Sequence, residues 1–288
     1  MDYATTEMVS TKALYYKDKK TRRLMAVAPD EGPVSLQLFG DDADIFRRVV
    51  EDLGEELAAY RALDINMGCP APKIVKTGAG SALLKTPEKA RTIIEACVEA
   101  SPIPVTVKIR KGFDEGAEEG MEIAKIAEAA GASEITVHGR TREAYYSGTA
   151  DWDFILRVAG AVSVPVIGNG DILKAEDILK HRADTLAGVA VGRGAVGHPF
   201  IFREIRQVLG GERVQLPSKD EIIATAKKHL ALSVAEKGEH LGVIEMRKHF
   251  IGYLKGFEQA KKHRNEILTL KREEDIIRYL DHLAKESR

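Results

Sequence analysis

From residue 4 to about residue 206, short apolar runs alternate with amphipathic stretches. Ala4–Val9, Val34–Phe39, Leu63–Met67, Val105–Ile109, Glu134–Val137, Val164–Gly168 and Leu186–Val191 read as strands. Ala43–Tyr60, Pro87–Ala100, Gly116–Ala130, Trp152–Val158 and Lys174–His181 read as the helices between them. In the third helix Ile123, Ile126, Ala127 and Ala130 recur at helical spacing, with Glu122, Lys125 and Glu128 on the opposite side. Strand and helix in strict alternation, with strands that are close to continuously apolar, predict a parallel sheet. No G-x-G-x-x-G follows the first strand, which argues against an open dinucleotide-binding sheet and for a TIM-type β/α barrel. A complete barrel has eight strands and the pattern supplies seven, so the expectation is an N-terminally incomplete barrel, or one to which Arg22–Val27 contributes the eighth.

After Gly210-Gly211 the strand signal stops. Glu221–Lys237, Gly242–Leu254 and Glu273–Lys285 predict a small all-helical domain, so the expected division is 1–211 and 212–288. Between Arg247 and Arg264 stand Lys248, Lys255, Lys261 and Lys262, opposed only by Glu258, with His249, Phe250, Tyr253, Phe257 and His263 interleaved. A charged helix is ordinarily a solvated face. The aromatic interleaving adds a second reading, a surface for a phosphate backbone and unstacked bases.

At 288 residues and 44% hydrophobic content the chain can bury a barrel-sized core and a smaller appendage, which excludes disordered and fibrous classes. Lys+Arg at 43 against Asp+Glu at 44 leaves a formal net charge of −1, so a polyanionic partner would have to meet a local patch. Two cysteines make no disulfide framework and predict a reducing compartment. With no membrane-length apolar run and no signal-peptide pattern at the start, the expected location is the cytoplasm.

The residues at the strand ends carry the chemistry. They are Gln37, Asn66 with Cys69, Lys108 with Arg110, His138 with Arg140 and Arg142, Asn169-Gly170-Asp171, and Gly192-Arg193. A polar group at the end of an apolar strand costs stability unless it binds something, and barrels place their sites at this end. Glycine-bearing turns after the last two strands suit a phosphate held on backbone N–H groups. Amides and a cation on neighbouring strands suit an isoalloxazine ring, with Lys108 near the end that turns anionic on reduction. In Asp64-Ile-Asn-Met-Gly-Cys-Pro70, Cys69 falls between a glycine and a proline where strand becomes loop, whereas Cys97 falls on the apolar face of a helix and reads as core. A free thiol is mostly protonated at neutral pH and is better placed to give a proton than to attack. The cysteines are not at ligand spacing and His138 has no sequence partner, so no metal is expected.

Asp64-Ile-Asn-Met-Gly-Cys-Pro70, Gly80-Ser-Ala-Leu-Leu84, Val107-Lys-Ile-Arg110, Val137-His-Gly-Arg-Thr-Arg142, Ile167-Gly-Asn-Gly-Asp171 and Gly192-Arg193 together resemble the tRNA-dihydrouridine synthase family in order and spacing, over most of the chain. The resemblance implies an FMN-dependent oxidoreductase, a β/α barrel followed by a helical tRNA-binding domain. Such an enzyme reduces the C5–C6 double bond of particular uridines in tRNA, with NADPH as electron donor. By the same resemblance Cys69 is the general acid at C5 and Asn66 helps hold the uracil. Gln37, Lys108, His138, Asn169, Gly170, Asp171, Gly192 and Arg193 contact FMN. Arg110, Arg140, Arg142, Arg247 and Lys248 serve the RNA, and the protein is expected to act as a monomer. A uridine in folded tRNA must leave its stack to reach such a pocket.

One departure stands out: the family's first strand and helix, with its A-P-M-A-G-x-T-D motif, have no counterpart here, which matches the missing eighth strand and leaves two unpaired edges. Two other readings stay open. One is an FMN oxidoreductase of a small pyrimidine. The other is a barrel without FMN, beside a domain that binds RNA.

Overall fold

In a parallel sheet neighbouring strands share their alternation of side chains, so the register decides which residues meet inside. The computed structural model describes residues 2–28 and 30–286. Its strands are β1 (Ala4–Thr5), β2 (Val9–Ser10), β3 (Val34–Phe39), β4 (Ala62–Met67), β5 (Val105–Arg110), β6 (Glu134–His138), β7 (Val166–Asn169) and β8 (Gly188–Ala190). All pair in parallel. From β3 to β8 each neighbours the next in sequence, while β1 and β2 both pair with β3. β1 and β2 are two pieces of one interrupted strand. Thr6 bridges part of the gap, its N–H donating to Ser35 O at 3.0 Å and its hydroxyl accepting from Gln37 N at 3.0 Å.

Among the described residues this makes seven strand positions in chain order with no pairing between the first and the last, a β/α barrel one strand short of closure. Arg22–Val27 does not supply the eighth strand. Asp18 caps a short helix there by accepting from Thr21 N, and a turn follows.

The connecting helices are α1 (Thr11–Tyr15), α2 (Lys19–Arg23), α3 (Ala43–Leu53), α4 (Pro72–Val75), α5 (Pro87–Ala100), α6 (Gly120–Ala129), α7 (Trp152–Ala159) and α8 (Asp177–Lys180). Asp42 and Asp151 cap α3 and α7 by accepting from Ile45 N and Phe154 N. Phe46, Val49, Val50 and Leu53 of α3 and Ile93, Ile94 and Cys97 of α5 are buried, as helical spacing of apolar residues predicts.

The strands alternate rather than run apolar throughout. Val34, Leu36 and Leu38 of β3, Leu63, Ile65 and Met67 of β4, and Val105, Val107 and Ile109 of β5 share one face. Gly168 on that face lies so close to α7 that an added Cβ would sit 2.5 Å from the Trp152 ring. The other face is polar and builds up in levels: Gln37, Asp64, Thr106 and Glu134 in register, then Asn66, Lys108 and Thr136, then Arg110, His138 and Asn169. At the base Tyr3 donates to Glu134 Oε1 at 2.7 Å and the Arg61 guanidinium lies 3.8 Å over the Tyr3 ring.

The chain divides into two compact units, Met1–Asp171 with Ile178–Ala190, and Ile172–Asp177 with Val191–Arg288. The second holds α9 (Ile201–Leu209), α10 (Lys219–Lys237), α11 (Glu239–Tyr253), α12 (Ala260–Ile267) and α13 (Glu273–Glu286). Ile223, Ala226 and Leu230 of α10, Val243, Met246, Phe250 and Tyr253 of α11, and Ile276, Leu280 and Leu283 of α13 form its core. Among the described residues no helix is long and apolar enough to cross a membrane.

Gly168→Ala puts its methyl against Trp152 and against Leu186, 2.7 Å away. The expected cost is about 1–3 kcal/mol of overpacking, read as a lower denaturant midpoint with an unchanged slope.

Candidate active site

Cys69 follows the end of β4 by two residues, and four neighbours hold its loop. Asn66 Oδ1 accepts from Gly68 N at 3.1 Å and Cys69 N at 2.9 Å. The Cys69 carbonyl accepts from Ser81 N at 3.1 Å and the Ser81 hydroxyl at 2.9 Å, and the Gly68 carbonyl accepts from Arg110 Nε at 2.9 Å. Gly80, at φ +62°, completes the seat, since a Cβ there would lie 2.9 Å from the Cys69 carbonyl oxygen. The backbone is thereby fixed while the side chain stays partly exposed. Cys97 is buried, and desolvation pushes its thiol pKa up, away from reactivity.

Beside this loop runs the polar column of the barrel. Lys108 Nζ donates to Asn169 Oδ1 at 3.3 Å, and Asn169 Nδ2 donates to the Ala190 carbonyl at 2.7 Å. Enclosure lowers the Lys108 amine to about 8, against the pull of the Asp64 carboxylate. Asp64, buried one level below, is pushed up by desolvation and held back by the hydrogen bonds of Thr106 and Gln37, with Lys108 adding attraction. Gln37 gives one N–H to Asp64 and accepts from Asn66 Nδ2 at 2.8 Å. His138 is buried with its ring against Gly170, where an added Cβ would lie 3.0 Å from His138 Cδ2.

The arginines behave differently from expectation. Arg110 and Arg140 are each 3% exposed. Arg110 Nη1 donates to the carbonyls of Thr141 at 2.7 Å and Tyr145 at 2.9 Å. Arg140 donates to Ser147 O and Gly148 O and to both oxygens of Asp171 at 2.7 and 2.8 Å. Both therefore clamp the loops after β4, β6 and β7 rather than facing outward toward RNA. Loop carbonyls at the barrel rim need donors, and a guanidinium satisfies several at once. Arg142 is half-buried against the Phe113 ring, 5.1 Å from its centroid.

Asp171, at φ +54°, spends its carboxylate on Arg140 and on Ala150 N at 2.7 Å, so within the glycine-bearing turn it is a brace. Gly170, at φ +125°, has its carbonyl held by Trp152 Nε1 at 3.1 Å, and a Cβ there would lie 2.6 Å from Ala150 Cβ. Asn66, expected on the uracil, is likewise largely engaged within its own loop.

In the second unit Gly192 and Arg193 are exposed in a short turn, with open space around Gly192. Lys248 is exposed and Arg247 half-buried on α11. The interleaved aromatics do not share that surface: Phe250, Tyr253 and Phe257 point into the helical core, and His249 packs edge-on to His229 at 4.5 Å between centroids. Cations stand outside and aromatics inside, because helical periodicity sorts them.

Strand-end reading passed over Asp64, Thr106, Ser81 and Trp152. Asp64 was within reach, since period two puts it on the face of Asn66. Trp152 and Ser81 act from other elements through contacts that no local pattern carries.

Against known proteins, the family model described as "Dihydrouridine synthase (Dus)" matches residues 2–287. The chain is 37% identical over 267 residues to "Probable tRNA-dihydrouridine synthase 1" of Synechocystis sp., covering 92% of this chain and 74% of that protein. It is 39% identical over 266 residues to "tRNA-dihydrouridine synthase B" of Pseudomonas syringae pv. tomato, covering 90% and 77%. To the protein of that name in Pseudomonas putida it is 40% identical over 253 residues, covering 86% and 74%. With the Asn66–Cys69 loop, the polar strand ends and these matches along nearly its whole length, the chain belongs to the dihydrouridine synthase family, enzymes that reduce uridine in tRNA to dihydrouridine.

Proposed function

We propose that the polar interior of the barrel holds FMN and that Cys69 supplies the proton when the C5–C6 double bond of a tRNA uridine is reduced. The observation that carries this is the pairing of a thiol on a pinned loop with an enclosed ammonium and amide donors on the adjacent strands. The donor set fits a flavin. Gln37 has one N–H beyond its bond to Asp64, and Lys108 has protons beyond its bond to Asn169. When bound, FMN reduced by NADPH would supply a hydride for C6.

The chain's own residues do the rest. Lys108 would offer positive charge to a flavin ring that turns anionic on reduction. Gln37, Asn169 and His138 would hold and orient the ring. The N–H groups of Asn169, Gly170 and Asp171 would take the phosphate, and the resemblance alone assigns Gly192 and Arg193 to FMN. Asn66 holds the Cys69 loop, and its second N–H, which meets only the weakly accepting Met8 sulfur at 3.9 Å, would turn to the uracil, so that the Cys69 thiol delivers its proton to C5. Arg142, Arg247 and Lys248 are assigned to the RNA backbone, residues 1–211 to catalysis and 212–288 to tRNA binding. A monomer in the cytoplasm is the proposed working form.

Cys69→Ala is expected to keep flavin absorbance through desalting while losing at least about a hundredfold in the rate of dihydrouridine formation on tRNA. Undiminished turnover of that variant sinks the proton-donor assignment.

Lys108 carries its charge below its pKa of about 8 and loses it above. Turnover is therefore expected to fall as pH rises through about 8. Lys108→Arg, charged throughout, should flatten that alkaline limb, and Lys108→Met should lower turnover on both sides of it.

Lys248→Ala is expected to weaken tRNA binding uniformly across sequences and to lower the slope of log affinity against log salt by about one, measured by filter binding over a salt series.

A further inference from the structure

Asp64 lies below the reacting level yet is tied to Cys69 by an unbroken series of hydrogen bonds, all within the first unit. Its carboxylate accepts from Thr106 Oγ1 at 2.6 Å and from Gln37 Nε2 at 2.7 Å. Gln37 Oε1 accepts from Asn66 Nδ2 at 2.8 Å, and Asn66 Oδ1 accepts from Gly68 N and Cys69 N. The series has one polarity. Both oxygens of the Asp64 carboxylate accept, so Gln37 turns its NH2 toward it and its oxygen toward Asn66. Asn66 must then turn its NH2 inward and its oxygen toward the Cys69 loop. Reversing Gln37 would set its NH2 against that of Asn66 and its oxygen against the carboxylate, and reversing Asn66 would leave two backbone donors of the loop without an acceptor.

We propose that Asp64 is a positioning residue for Cys69, acting through the fixed amide orientations of Gln37 and Asn66. It touches neither substrate nor thiol. The Lys108 ammonium balances its charge, and the Thr106 hydroxyl takes its second oxygen, so the carboxylate holds this role while fully buried. The catalytic consequence rests on the assignment of Cys69 as proton donor. The conformational consequence does not.

The test is the alkylation rate of Cys69 in the purified chain, with buried Cys97 as the unreactive internal reference. Asp64→Asn can present either end of its amide to Gln37, so the orientation is no longer forced. Cys69 alkylation is expected to rise by up to about tenfold, the factor set by one hydrogen bond of ordinary strength. The double variant Asp64→Asn with Gln37→Glu moves the accept-only group one step along. The carboxylate now at position 37 accepts from the amide at position 64 and from Asn66, and the loop acceptor is fixed again. Its alkylation rate is expected to return to within about twofold of the parent, a coupling that a merely structural loss at residue 64 would not show.

An Asp64→Asn rate equal to the parent's overturns the proposal, as does a double variant no closer to the parent than the single. If Asp64→Asn does not fold, Gln37→Met breaks the same series at its midpoint. A raised Cys69 rate there supports the proposal and a parental rate overturns it. Parental turnover by Cys69→Ala would remove the catalytic role of Cys69 while leaving these alkylation outcomes intact, so the two failures are distinguishable.

Discussion

Parallel pairing in register puts every second residue of each strand on the face of its neighbours' matching residues, and in this barrel that shared face is polar. Left unpaired, each such buried group would cost roughly 1–3 kcal/mol, and a buried charge more. The levels offset this by bonding to one another: Gln37 and Thr106 to Asp64, Lys108 to Asn169, Tyr3 to Glu134. A one-residue slip of β4 against β5 would send Asp64 and Asn66 under the helices and bring Leu63, Ile65 and Met67 inside. The register therefore sets the core and the chemistry together.

The same economy governs the loops. On the proposed reading the Cys69 thiol gives up a proton, so it must be exposed enough to meet its substrate and held firmly enough to aim, and exposed loops are ordinarily mobile. Here the backbone around Cys69 is tied from β4 itself, through Asn66, from β5, through Arg110, and from the turn at Gly80-Ser81. The neighbouring rim is tied by Arg140, Asp171 and Trp152. Two arginines that look like ligands for an anion are consumed in this bracing. The cost of burying them is met by carbonyls that a rim loop would otherwise leave without donors.

Much of this was readable in the chain. Val34–Phe39 and Pro87–Ala100 have the bounds that apolar patterning predicts, and Asn66, Cys69, Lys108 and Asn169 converge as strand-end residues should. Local pattern reports which face a residue takes, not what it meets there. Arg110 and Arg140 stand at strand ends like ligands, and only the carbonyls of Thr141, Tyr145, Ser147 and Gly148, brought in by other loops, show them to be clamps. Arg22–Val27 failed as a strand for a local reason, the Asp18 cap that commits the segment to a helix turn. Phe250 and Tyr253 seemed interleaved with cations because reading along the chain mixes the two faces of a helix.

That separation of faces bears on how the proposed work divides. A helix surface that shows lysines to solvent and keeps Phe250 and Tyr253 inside offers charge to a phosphate backbone and withholds those rings from stacking on a base. Contacts of that kind set affinity and orientation and carry no base identity. Recognition of the uracil falls, on the proposed reading, to a hydrogen-bonding edge in the first unit, that of Asn66, beside the flavin residues Lys108, His138 and Asn169. On the proposed reading the helical unit decides how firmly the RNA is held. Whether a uridine is reduced depends on the polar column and the pinned thiol loop, the elements that the register of the sheet holds in place.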